Sequence, residues 1–219
     1  RIYNLNAYLI RCLMKPALAA RPGRPKDVKD TRERCLVAAE LRFADQGFQG
    51  TTLRDVAAAI GATSATIIHH FGTKERLYGR VLERLVASLD EYVGPTEGCS
   101  AEIVCQMFER FLDWSLDHQH YAQLLLRELM ENRSRVSRAK RLHLMELVSS
   151  YVARVREGQA QGRFRSFDAE LFAFYTFGAI THFSAAAPTI QRMVEDARTV
   201  ERFRATLRES VLTMLGEKP

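Results

Sequence analysis

The chain of 219 residues has little of several features that mark other protein classes. It has four cysteines, none in a C-x-x-C pair and none at the spacing of a disulfide framework, so a reduced protein without a metal site is indicated. Six prolines and twelve glycines are too few for a disordered or fibrous protein. Convincing alternation of apolar and polar residues is also missing, which argues against strands. We expect a cytoplasmic, all-helical protein that needs no cofactor.

Long apolar runs are scarce as well. Residues 171–187 contain no Asp, Glu, Lys or Arg over 17 residues, which is the short limit for spanning a bilayer. The same segment carries several polar side chains, including Thr176, Thr181, His182 and Ser184. A buried or interface helix therefore fits this segment better than a membrane span.

The first residues carry no recognisable targeting signal. Arg11 interrupts the apolar stretch of "RIYNLNAYLIRCLM", which is too short and too charged for a signal peptide. Because Met14 opens a natural-looking start, we expect residues 1–13 to be sequence from upstream of it or a cloning remnant. Residues 1–29 together have the Pro/Gly-punctuated, basic composition of a flexible arm.

The net positive charge of the chain comes entirely from its N-terminal part. Residues 1–90 contain 15 Lys and Arg against 9 Asp and Glu, whereas residues 91–219 contain 17 of each. Such an asymmetry favours an anionic partner for the N-terminal part, either a nucleic acid or a membrane surface.

Apolar residues recur at helical spacing along most of the chain, and this predicts an all-α fold. Asp30 and Glu33 form a capping-box pattern at the start of one helix, which Gly47 is expected to end. Thr52, Thr63 or Ser64, and Thr73 are placed to cap the next three helices. The later helices are predicted at 101–117, 120–132, 134–158, 168–187 and 196–215.

The segment "RDVAAAIGATSATIIHHF", residues 54–71, has a glycine in the middle of an alanine-rich helical pattern. One interpretation is a single helix weakened by about 1 kcal/mol at Gly61. The other is a helix-turn-helix, in which Gly61 reaches positive φ and the small Ala57 lets two helices cross. The second interpretation also explains the cap signal after Gly61 and the break at Gly72, so we favour it.

The motif and its surroundings resemble the TetR-type bacterial transcriptional repressors. The resemblance runs from about Thr31 to Leu85 and includes "AAELRFADQGFQGTTLRDVAAAIGATSATIIHHFGTKERL". It implies a homodimer in which each three-helix unit reads half of a palindromic operator. It also implies a C-terminal half that encloses an effector pocket and pairs the subunits. The expected domains are an arm at 1–29, a DNA-binding domain at 30–75, and an effector-binding and dimerisation domain at 76–219.

A recognition helix needs short polar or small side chains where it meets base edges, and Ser64, Ala65 and Thr66 satisfy this. The family pattern places a phosphate-contacting histidine at His70, and the amides after Thr73 form a phosphate-directed helix start. Arg54 either reaches guanine, as in family members, or is simply solvated. The predicted DNA-binding residues are Arg24, Lys26, Thr52, Arg54, Thr63, Ser64, Ala65, Thr66, His69, His70 and Lys74.

The sequence departs from the family pattern at two positions. Ile68 stands where the family usually has Tyr, and Ser64 where it often has Lys. Because Ile68 cannot donate a hydrogen bond to a phosphate, one contact with the DNA backbone that is common in the family is expected to be absent. The arm "RPGRPK", residues 21–26, compensates if its arginines enter a narrow minor groove. The alternative is a solvated tail.

The C-terminal half is less informative about its ligand. An apolar small molecule is the expected effector, and its candidate contacts, several of which also fit a plain core, are Trp114, Tyr121, Arg127, Tyr175 and His182. The apolar seam of the last predicted helix suits helix–helix packing between subunits. The resemblance implies that the last two helices form the dimer interface. The predicted interface residues are Phe174, Ile180, Phe203, Leu207, Val211 and Met214.

These patterns favour a ligand-responsive repressor. The alternative is a helical architectural DNA-binding protein without an effector, which would show little sequence preference. An enzyme is disfavoured because the sequence contains no H-E-x-x-H, G-x-S-x-G or P-loop motif and no paired metal ligands.

Overall fold

The structure is a computed structural model that describes residues 28–94, 97–131, 144–194 and 198–216. These residues are helical with no strand, as predicted. Residues 1–27, including the predicted arm, lie outside the described part. The helices are α1 Val28–Gly50, α2 Leu53–Ala59, α3 Ser64–Phe71, α4 Lys74–Val93, α5 Ala101–Asp117, α6 Gln119–Glu131, α7 Leu144–Ala160, α8 Ala169–Val194 and α9 Thr199–Leu215.

Helix α1 differs from its prediction at both ends. It begins at Val28, so Asp30 lies within the first turn and does not form the predicted N-cap. In the first turn, the carboxylate of Asp30 interacts favourably with the helix dipole. Gly47 has φ 71° and interrupts the helical backbone, but the chain makes one more turn before the helix ends. The rings of Phe43 and Phe48 stack across this kink, with their centroids 6.1 Å apart.

The helix-turn-helix is confirmed by its backbone. Thr52 and Asp55 form a reciprocal capping box at the start of α2, with N–O distances of 3.2 and 2.9 Å. Gly61 turns the chain at φ 68°, and Thr63 is the N-cap residue of α3. The Thr63 hydroxyl does not cap α3, since it lies 3.2 Å from the Thr66 hydroxyl instead.

The two helices of the motif pack through small and apolar side chains. Val56 and Ala57 of α2 and Ile67 of α3 are buried, as the crossing of the helices requires. The Ala57 carbonyl accepts a hydrogen bond from the Ala62 amide at 2.9 Å, which closes the turn. A short helix such as α3 is not stable alone, so its packing on α1 and α4 fixes its position.

The remaining helices form a second layer joined to the first by α4. The buried face of α4 continues through Leu85, Leu89 and Val93, and packs against α5. Helix α8 contacts α5, α6, α7 and α9, and its Phe177 packs edge-on against Tyr151 with a centroid distance of 4.7 Å. In the described part of the chain, every helix is too short or too polar to cross a bilayer.

Replacing Gly61 with Ala should destabilise the protein by about 1 kcal/mol, because a side chain is strained at φ 68°. A Cβ atom there would meet nothing within 4 Å, so crowding adds no penalty. Gly79 in α4 is the matched control, since its Cβ would also meet nothing. We expect Gly79→Ala to stabilise by about 0.5–1 kcal/mol, as measured by urea unfolding. If both variants shift stability in the same direction, backbone strain is not what selects Gly61.

Candidate nucleic-acid interface

Helix α3 has one buried face and one open face. Ile67 and Phe71 are buried against the neighbouring helices, whereas Ala65, Ile68 and His69 are exposed. The exposed residues are spaced three and one apart, so they share one side of the helix. Ile68 is 51% exposed, which is high for a large apolar side chain. The open face offers a mixed apolar and polar surface along the length of α3.

The predicted DNA-contacting side chains of α3 differ in accessibility. Ser64, Thr66 and His70 are half-buried, and Thr63 is exposed. Half-burial of His70, together with neighbouring His69 and Arg32, lowers the pKa of His70. The rings of His69 and His70 lie 5.2 Å apart in an edge-on arrangement. A phosphate near this end of α3 would therefore face an imidazole in a positive setting.

Two further helix starts flank α3. At the start of α2, Thr52 and Arg54 are exposed, and hydrogen bonds from Thr52 lower the pKa of Asp55. At the start of α4, the Arg76 amide donates to the Thr73 hydroxyl at 3.3 Å. The Lys74 ammonium lies 4.3 Å from the centre of the Phe48 ring, a cation–π contact that holds the side chain near the α3–α4 turn.

Sequence reasoning did not select three arginines that border the C-terminal end of α3. These are Arg32 of α1 and Arg76 and Arg80 of α4. A usable signal was present, because positions 76 and 80 are one helical turn apart and directly follow the motif. Arg24 and Lys26, which were predicted to contact the minor groove, lie outside the described residues.

Comparison with known proteins agrees with this geometry. The model for "Bacterial regulatory proteins, tetR family" matches residues 36–81, from α1 into α4. The transcriptional repressor SCO4008 of Streptomyces coelicolor is 31% identical over 140 residues, covering 63% of this chain and 69% of that protein. The chain belongs to the TetR family. Its two-layer helical architecture is thus that of a TetR-family transcriptional regulator with an N-terminal helix-turn-helix domain.

Other relatives extend the similarity beyond the motif. The repressor KstR2 of Mycolicibacterium smegmatis is 28% identical over 169 residues, covering 71% of this TetR-family chain and 78% of the relative. The crystal structure of PfmR from Thermus thermophilus aligns with a TM-score of 0.62 at 21% identity, covering 86% of this chain and 97% of that one. Both of these proteins are transcriptional regulators. Within the described residues, no three His, Cys, Asp or Glu side chains are grouped to hold a metal ion.

A buried carboxylate joins the DNA-binding layer of this TetR-family chain to the second layer. Glu40 of α1 is 4% exposed and accepts a hydrogen bond from the Tyr121 hydroxyl of α6 at 3.0 Å. The Arg84 Nε of α4 lies 3.2 Å from the same carboxylate oxygen. Burial raises the pKa of Glu40, while Arg84 and the Tyr121 hydrogen bond oppose that change. Three helices therefore meet at one charge.

A second contact holds the other end of α1. Arg127 of α6 donates from Nε to the Ala44 carbonyl at 2.8 Å and from Nη2 to the Asp45 carbonyl at 2.5 Å. Both carbonyls lie just before the kink at Gly47. Helix α6 therefore contacts α1 at Glu40 and again about one turn later.

The predicted effector contacts fall into different environments. Trp114 is fully buried and donates from Nε1 to the Ser88 hydroxyl at 3.0 Å, and Tyr121 is occupied by Glu40, so both have structural partners. Tyr175 is exposed. Arg127 and His182 alone of the five candidates line an open cleft of about 370 Å³ between α1, α6 and α8.

The predicted interface residues are also divided. Phe174 is 58% exposed, but Ile180, Leu207 and Val211 are buried within the chain's own core. The apolar seam of α9 packs against α5, which explains the burial of Leu207 and Val211. Phe203 and Met214 are half-buried. Leu171 and Tyr175, which the sequence analysis did not select for the interface, are exposed beside Phe174 on α8 at positions three and one residues away.

His120 of α6 gives a pH-dependent prediction. Burial, with His118 and Arg84 nearby, lowers the pKa of His120 to about 4 from an ordinary value of 6.5. Between pH 6.5 and pH 4, His120 is therefore protonated in the unfolded chain but neutral in the folded chain. As a result, the free energy of unfolding falls as the pH drops from 6.5 towards 4. We expect His120→Gln to remove about 2 kcal/mol of the loss between pH 7 and pH 4.5, measured by urea unfolding at each pH.

The raised pKa of Glu40 acts in the opposite direction, because the folded state binds that proton more readily. Both proteins contain Glu40, but its Oε2 lies 4.0 Å from His120 Nε2, so the difference between their pH profiles reports His120 together with its interaction with Glu40. Parallel profiles for the two proteins would show that His120 is not buried in its neutral form.

Proposed function

We propose that this chain is a ligand-responsive repressor that binds a palindromic operator as a dimer and is released by a small-molecule effector. The observation that carries the proposal is the open face of α3, flanked by the starts of α2 and α4. An α-helix is narrow enough to enter the major groove, and the side chains of α3 are short enough for close approach. Membership of the TetR family supports the same reading.

In the proposed complex, the N-terminal half of α3 reads base edges. The hydroxyls of Ser64 and Thr66 bond polar edges, and the apolar Ala65 and Ile68 contact thymine methyl groups. Arg54 reaches guanine from α2. Phosphate contacts come from Thr52, Thr63, His69, His70 and Lys74, while Arg24 and Lys26 enter the adjacent minor groove.

The exposed face of α8 supports the proposed dimer. Leu171, Phe174 and Tyr175 are 58–66% exposed and adjacent, which is unusual for a surface that faces water. Pairing this face with its copy would cover these apolar side chains. The two α3 helices of the dimer must lie about 34–36 Å apart, or a multiple of that distance, to enter successive major grooves of one DNA face.

The contacts of α6 support the proposed release. An effector bound in the second layer, for which the cleft beside Arg127 and His182 is one candidate place, would shift α6 relative to α8. Because α6 holds α1 through Tyr121 and Arg127, the shift would change the spacing of the recognition helices. The coupling must be reciprocal, so operator DNA weakens effector binding by the same factor.

Two substitutions separate base reading from phosphate binding. Thr66→Ala should change sequence preference by about 1 kcal/mol at one base position, since it removes a hydroxyl from the reading face. Lys74→Ala should weaken specific and non-specific DNA about equally and reduce the salt slope by about 1. Binding to the DNA upstream of the protein's own gene, titrated at several salt concentrations, measures both.

The same titration tests the alternative function. Steep, palindrome-dependent binding by the wild-type protein that candidate effectors weaken supports the repressor. Binding that is indifferent to sequence and to small molecules would favour an architectural protein. If Lys74→Ala leaves the affinity and the salt slope unchanged, Lys74 contacts no phosphate.

Phe174→Glu tests the dimer. A charge at the centre of the exposed α8 face should convert a dimer to a monomer in sedimentation at micromolar concentration, because the pair would have to bury two like charges. Ser149→Glu, which adds the same charge at an exposed position of α7, should leave the dimer intact. A Phe174→Glu protein that sediments like the wild type would place the interface elsewhere.

A further inference from the structure

A cleft of about 620 Å³ lies at the C-terminal end of α3, between the start of α1 and the first turns of α4. Its opening is continuous with the open face of α3, because Ile68 and His69 belong to both. Guanidinium and imidazole groups from three helices border this cleft. They are Arg32, His69, His70, Arg76 and Arg80, with Glu83 as the one acidic member.

Two of the arginines are held in place without a carboxylate partner. The Arg32 guanidinium lies 5.3 Å from the centre of the Phe71 ring. Arg76 folds over Gly72, where even a Cβ atom would come within 3.4 Å of its Nη1. Among the described residues neither Arg32 nor Arg76 forms an ion pair, whereas Arg80 pairs with Glu83 at 2.6 Å.

The electrostatic setting of the cleft is positive. Three arginines face one glutamate, and burial, followed by the charges of His69 and Arg32, lowers the pKa of His70. An anion in this place would meet two unpaired guanidinium groups, whose forked donors match the oxygens of a phosphate. It would also favour protonation of His70.

We propose that this cleft seats DNA backbone phosphate from the strand that borders the major groove at the C-terminal end of α3, with Arg32 and Arg76 as its donors. The inference rests on the proposed function, since it requires α3 to lie in the groove. The occupant follows from continuity: a helix whose open face enters the groove brings the bordering strand against whatever surface lies at its end. The footprint then extends beyond the bases that α3 reads.

The first test is the salt dependence of operator binding by the double variant Arg32→Gln/Arg76→Gln. We expect the slope of log K against log salt to fall by about 1 to 2, with a loss of about tenfold in affinity near 0.1 M salt. Specific and non-specific DNA should be affected alike, because a phosphate carries no sequence information.

Two variants control for net charge and for side-chain shape. Arg163→Gln, in the turn after α7, removes one positive charge far along the chain and should leave the slope unchanged. Arg32→Lys/Arg76→Lys keeps both charges and should retain most of the slope. If Arg32→Gln/Arg76→Gln has the wild-type slope and the wild-type circular dichroism, the inference is wrong.

The second test locates the phosphate. Duplexes carrying a single neutral methylphosphonate, moved one position at a time along the strand beyond the α3 half-site, are titrated with the wild type and the double variant. At one or two positions we expect the wild type to lose about tenfold in affinity and Arg32→Gln/Arg76→Gln to lose none. If the two proteins respond equally at every position, the cleft binds no backbone phosphate.

These outcomes separate the inference from the function on which it rests. A wild-type protein that binds no DNA overturns both. A wild-type protein that binds a palindromic operator, with neither titration distinguishing the double variant, overturns the cleft alone.

Discussion

The buried carboxylate of Glu40 is the constraint on which the rest of the arrangement depends. A charge at 4% exposure is tolerated only when it is paired and hydrogen-bonded, since an isolated one would carry a penalty of several kcal/mol. Its partners, Arg84 and Tyr121, come from α4 and α6. The three helices must therefore stay together to satisfy one group.

Much of the local structure could be predicted because it is written in short-range patterns. The capping box of Thr52 and Asp55 and the positive φ of Gly61 depend on residues within a few positions of each other. The range 101–117 matches α5 for the same reason. Helix α8 runs on past Pro188 to Val194, beyond its predicted end at residue 187. Thr63 lost its predicted capping bond to a competing hydroxyl, that of Thr66.

The functional contacts between layers could not be predicted, because they join residues that are far apart in the sequence. Tyr121 is 81 positions from Glu40, and Arg127 is 83 from Ala44. Periodicity shows that a face is buried but not what buries it. The α9 seam illustrates this limit, since Leu207 and Val211 follow the pattern of a subunit contact and yet lie in the chain's own core. In the same way, the sequence pattern did not predict that one face of α8 is exposed.

That open face gives the proposed regulator a dependence on its own abundance. Three large apolar side chains on one helix have water as their alternative to a second copy, so association is governed by mass action. When pairs are scarce, their number rises with the square of the number of chains. A small change in synthesis would then become a larger change in how often the operator is filled, before any effector is present.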